Sequence, residues 1–151
     1  MKQGLQTNFK NKDLREYGCY FFTLCAWVYL AFGKKFTDDD IIAAYEYCLK
    51  QGWVFTGIDK NGNKQVCLIQ NPVQVFNYLS GKPDYFKEIY HSDFVPITKR
   101  FPVFFKRNAP NGYDHFALGQ FINGKVEIIF DPWTPSALDR GLKIYNYRAF
   151  K

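Results

Sequence analysis

Three short stretches of this 151-residue chain carry side chains that could act on one another: Gly18-Cys19, Asp114-His115-Phe116 and Asp131-Pro132-Trp133. A thiol is a strong nucleophile only as the thiolate, and a helix N-terminus together with a nearby imidazolium lowers its pKa toward neutrality. Cys19 stands where a long apolar helix is expected to begin, which makes it the candidate nucleophile. Cys25 lies mid-helix between Leu24 and Ala26, where desolvation raises a thiol's pKa and keeps it inert. His115 is the residue that could take a thiol proton and return it to a leaving group, and Asp131 could accept the other imidazole N–H and fix the tautomer.

Strand register tests whether His115 and Asp131 meet. Phe121-Ile122-Asn123-Gly124-Lys125 reads as a tight hairpin connection. A two-residue Asn123-Gly124 turn pairs Ile122 with Lys125, sets His115 opposite Pro132, and mixes Asp131, Glu127 and Lys125 with Phe116 and Leu118 on one face. A three-residue loop with Gly124 left-handed pairs Phe121 with Lys125, gathers Phe116, Leu118, Val126, Ile128 and Phe130 on one face, and puts His115 directly opposite Asp131. The second register is expected because it keeps charge off the apolar face. Opposed Cβ atoms then lie about 4.5–5.5 Å apart, within reach of an imidazole–carboxylate hydrogen bond.

The elements that must position these groups are legible in outline. Tyr17 to Phe32 is uncharged and bracketed by Gly18 and Gly33, as expected of a buried central helix. Thr37-Asp38-Asp39-Asp40 opens a second helix that Gly52 ends, with Ile41, Ile42, Tyr45, Cys48 and Leu49 at helical spacing. Trp53–Ile58 and Gln65–Ile69 flank a turn-rich loop at 59–63 and form a hairpin with Cys67 in its second arm. Pro72 begins a third, short helix ending at Ser80-Gly81. Strands follow at Tyr85–Tyr90, Pro102–Lys106, Tyr113–Phe121, Lys125–Phe130 and Leu142–Tyr147. Helices first and an antiparallel sheet second define an α+β fold with the helices packed on one side of the sheet.

Composition bounds the function. With 47% hydrophobic and 20% aromatic residues the chain can bury a core as one domain, and disordered or coiled-coil readings fall away. A net charge of +6 is spread without a polybasic block, so nucleic acid is not an expected partner. Four cysteines without metal-ligand spacing imply reduced thiols and a cytoplasmic setting, with Cys25, Cys48 and Cys67 buried and unpaired. The apolar run is short for a membrane span and lacks the flanks of a secretory signal. No cofactor or metal is implied; His91 reads as a surface residue, and the many aromatics read as core.

The order Cys, His, Asp, with the cysteine on an early helix and the others on adjacent later strands, resembles the papain-like cysteine peptidase superfamily over most of the chain. It is most similar to the bacterial branch typified by double-glycine leader peptidases, through Gln6, Cys19, His115, Asn123-Gly124 and Asp131-Pro132. Tyr17-Gly18-Cys19-Tyr20-Phe21 is also similar to plasmid- and prophage-encoded bacterial proteins. The resemblance implies one papain-like domain over residues 1–151, Cys19 as nucleophile, His115 as general base and acid, Asp131 as orienter, and Gln6 as a side-chain donor to the oxyanion. Gln3 stays open as the alternative donor. Trp133 would shield the triad. The implied function is a peptidase or amidase acting through an acyl-enzyme on a peptide, protein or peptidoglycan-like amide. The alternative is a catalytically silent binding module of the same fold.

Overall fold

The uncharged stretch between Gly18 and Gly33 forms one helix, α2 (Cys19–Phe32), in the computed structural model of the chain, which describes residues 1–106 and 114–151. From Phe21 to Val28 every side chain is buried, so the helix runs through the core instead of along it. Gly33, at φ 67°, ends it in the left-handed region that glycine adopts freely. A 3-10 turn (Leu5–Asn8) and a short helix α1 (Lys12–Tyr17), capped by the Asn11 side chain on the Leu14 amide, lead into it; the sequence reading has no counterpart for α1.

Helix α3 (Asp38–Gln51) starts with a reciprocal cap: Asp40 N–H donates to Thr37 Oγ1 at 3.0 Å, and Thr37 N–H donates to the Asp40 carboxylate at 2.9 Å. Strands β1 (Val54–Ile58) and β2 (Lys64–Ile69) form the expected hairpin, its loop tied by Asp59, whose carboxylate accepts from the amides of Asn61 and Asn63. Helix α4 (Pro72–Ser80) follows.

The remaining strands, β3 (Ile89–Ser92), β4 (Arg100–Phe105), β5 (His115–Ile122), β6 (Lys125–Phe130) and β7 (Ile144–Phe150), form one antiparallel sheet in the spatial order β3-β7-β4-β5-β6. The α+β class therefore stands. The first and last strands fall later than expected, and Tyr113, placed by the sequence pattern at the start of β5, lies outside the described residues. Helix α2 crosses β4 and β5 on one face, where Leu118, Phe130 and Phe150 join the main core. The opposite face holds a smaller cluster of Phe101, Val103, Phe105, Ala117 and Ala137, covered by the connection from β6 to β7. Among the described residues no helix is long and apolar enough to cross a membrane.

The β5–β6 hairpin corrects the expected register. Its turn has two residues, with Asn123 at φ 52° and Gly124 at φ 83°, the twist-matched geometry that needs positive φ at both positions. Ile122 pairs with Lys125, not Phe121. The objection to that register, charge on the apolar face, is met by a bulge: Gly119 pairs with Ile128 and Leu118 with Phe130, leaving Ile129 as the extra residue. One inserted residue exchanges the faces of everything beyond it. Val126 and Ile128 therefore pack on the smaller cluster, away from Leu118 and Phe130, while Asp131 returns to the face of His115.

Candidate active site

His115 opens β5 fully buried, and its Nε2 lies 2.7 Å from Asp131 Oδ1. The two residues are not the directly opposed pair expected, because the bulge shifts the register and the ladder ends at Leu118 and Phe130, one residue before Asp131. The Trp133 ring stacks on the imidazole with centroids 3.6 Å apart and planes at 20°. Arg140 lies over the other side of the indole, 4.3 Å from its centroid. Burial holds the imidazole below its ordinary pKa, with Asp131 pushing the other way, so at neutral pH the ring is neutral. The Asp131 bond takes Nε2, while Nδ1, also buried, has no hydrogen-bond partner among the described residues.

Asp131 is held from several sides. Its Oδ1 also accepts from Trp133 N–H, and its Oδ2 from Ala137 N–H, both at 2.9 Å. The N-terminal segment straps the same turn. Gln3 Oε1 accepts from Asp131 N–H at 2.7 Å while Gln3 Nε2 donates to the bulge residue's carbonyl, Ile129 O, at 2.7 Å. Gly4 and Gln6 donate backbone bonds to the carbonyls of Asp131 and Pro132. Gly4 needs its lack of a side chain: it sits at φ 71°, and a Cβ there would come 1.6 Å from Thr134 Oγ1.

Cys19 is the first residue of α2, where the Gly18 cap offers no side chain to the free amides. Thr23 Oγ1, one turn on, lies 3.2 Å from the Phe116 carbonyl and fixes α2 against the start of β5. Beyond Leu118 and Phe130 strand β6 no longer pairs with β5, which leaves the Phe116 amide to face the thiol; that amide and the one of Tyr20 favour the thiolate. The sulfur thus sits at the backbone of the residue after His115. Burial nevertheless dominates and pushes the thiol up to about 12, which corrects the expectation of a lowered value at the helix start. Burial likewise raises Cys25, Cys48 and Cys67, and all four thiols are free and buried.

The thiol borders a cleft of about 520 Å³ between β2 and the outer part of the sheet, lined among others by Tyr20, Cys67, Asp114, Phe116 and Arg148. His115 lies behind this wall. Gln6 is not among the lining residues: it is buried, with Nε2 donating to the Arg15 carbonyl at 3.1 Å and Oε1 without a partner among the described residues. Gln3, the alternative donor, serves the Asp131 strap. Sequence reasoning missed that strap, and it missed Arg148, whose only signal was a lone charge in an otherwise uncharged strand.

Residues 1–151 match the profile of a family described as "Protein of unknown function, DUF261", and the chain belongs to that family. No curated protein and no solved structure matches the chain.

Proposed function

We propose that this DUF261 chain is a papain-like cysteine hydrolase, a peptidase or amidase that works through Cys19, His115 and Asp131. The observation that carries the reading is the buried imidazole with one nitrogen bound to Asp131 at 2.7 Å and the other unclaimed among the described residues, one residue from the amide that faces the thiol at the start of α2. A buried nitrogen without a partner costs stability, and such costs concentrate where a group has a task.

In the resting arrangement the thiol is protonated, so activation requires Sγ to close on Nδ1. Nδ1 takes the thiol proton, and the charge that forms on the ring is stabilised by Asp131. The sulfur attacks the carbonyl carbon of the substrate amide, and the oxygen becomes an oxyanion beside the free amides that begin α2. Collapse breaks the C–N bond as His115 returns its proton to the departing amine. Water then attacks the thioester, His115 taking one of its protons, and the thiol is regenerated with release of the acid. Gln6 serves as an oxyanion donor only by giving up its bond to Arg15.

The test is acyl-enzyme capture. Brief exposure to p-nitrophenyl acetate followed by intact-mass measurement is expected to add one acetyl group, mapped to Cys19, absent in Cys19→Ala and reduced in His115→Ala. Acetylation that ignores His115 contradicts the reading. The raised thiol favours the second reading, a silent module that holds a peptide in the same cleft, and lack of any adduct would select it.

A further inference from the structure

Arg148 stands in β7 opposite His91, only 7% exposed, and lines the cleft that Cys19 borders. Its guanidinium lies over two adjacent rings, 4.8 Å from the centroid of Phe104 and 5.2 Å from that of Phe116. Nη1 is occupied by Asn146 Oδ1 at 2.7 Å and the Tyr147 carbonyl at 3.3 Å. Among the described residues no carboxylate pairs with it. A buried cation without an anion is costly, and the side chain is held by stacking and by neutral oxygens instead. A second group in the same cleft is also left over: the Tyr20 hydroxyl, buried on a ring stacked 4.0 Å from Phe116, has no hydrogen-bond partner among the described residues.

We infer that Arg148 and Tyr20 form a carboxylate-binding subsite beside Cys19, selecting amides that carry a free carboxylate near the scissile bond. A single guanidinium with one nitrogen already used, and with Asp114 on the same cleft wall, suits a monoanion better than a phosphate dianion. The carboxylate could belong to a peptide C-terminus or to an acidic side chain. The selectivity claim rests on the hydrolase reading; the binding claim stands without it.

The experiment measures binding by NMR shift perturbation for two matched pairs on the intact chain: N-acetyl-Ala-Ala against its C-terminal amide, and N-acetyl-Glu amide against N-acetyl-Gln amide. In at least one pair the acid is expected to bind about tenfold tighter, the factor one charge-assisted hydrogen bond supplies, and the pair that shows it identifies the source. Arg148→Gln should erase the preference, Arg148→Lys retain part of it, and Tyr20→Phe weaken it less, with unfolding curves confirming that each variant is folded. Equal binding of acid and amide, no binding at all, or a preference that survives in folded Arg148→Gln overturns the subsite. Cys19 alkylation by iodoacetamide, a neutral reagent, is read in parallel. Acid preference with an inert Cys19 keeps the subsite and removes the hydrolase; a fast Cys19 without acid preference does the reverse.

Discussion

The two sides of the start of β5 are built in opposite ways. On the Asp131 side bonding capacity is used up: the carboxylate accepts three hydrogen bonds, and Gln3, Gly4 and Gln6 bind the flanking backbone. On the Cys19 side it is left open: among the described residues His115 Nδ1 and the Tyr20 hydroxyl are buried without partners and Arg148 meets no carboxylate. Satisfied groups hold geometry, and unsatisfied ones store a cost that a ligand or a reaction step relieves. The contrast teaches that the orienting half of the site is finished in the free protein while the reacting half awaits something.

The largest break in this contrast should come from Asp131→Ala. It strands the imidazole N–H and two backbone amides in a buried place, and unfolding by denaturant should show a loss of about 3–5 kcal/mol. Next comes Gly4→Ala, which forces a Cβ against Thr134 at a left-handed φ. We expect about 2 kcal/mol of destabilisation, with little change in the intrinsic reactivity of Cys19. The cleft side should answer with the other sign: Tyr20→Phe removes an unpartnered hydroxyl and should raise stability by about 1 kcal/mol, while weakening binding of acids in the cleft.

The smallest effect is a pH slope. Burial holds the folded-state pKa of His115 below its ordinary value of 6.5. As pH falls below that value the unfolded chain takes up a proton that the native ring refuses, so stability present above 6.5 is lost on acidification through the folded pKa. His115→Asn should flatten that part of the stability profile in calorimetric scans. At the alkaline end the sign reverses for Cys19, whose folded pKa is raised: stability is full below the unfolded value and falls as pH rises beyond 9.0.

How far the sequence reached follows the same division. The Thr37 cap, the Asp59 loop and the Pro72 helix start were legible because each is a local pattern whose partners lie within a few residues. The meeting of His115 with Asp131 was anticipated through a three-residue turn, yet the chain reaches it through a two-residue turn and a bulge at Ile129. Both routes insert one residue into the hairpin, and side-chain alternation records only that parity, which is why the face was right and the register wrong. Nothing local marks Ile129 as a bulge. The strap from Gln3 was out of reach because it joins residues at opposite ends of the chain. Arg148 was missed because sequence shows a charge without showing that it is buried and unpaired. The raised Cys19 thiol has a similar cause: a helix start is visible in sequence, but the burial of the sulfur in the folded chain is not.

The central claim, that His115 Nδ1 is kept open for the Cys19 proton, is tested most directly by the rate of Cys19 alkylation with iodoacetamide as a function of pH, in the native protein and in His115→Ala. The account predicts that His115 takes the thiol proton as the sulfur attacks, so Cys19 reacts at neutral pH despite its raised resting value, with an acid limb set by His115 that disappears in the variant, and slower labelling of Cys25, Cys48 and Cys67 throughout. A single titration step at or above the free-thiol value, unchanged by His115→Ala, would contradict it and leave the cleft as a binding site without a nucleophile.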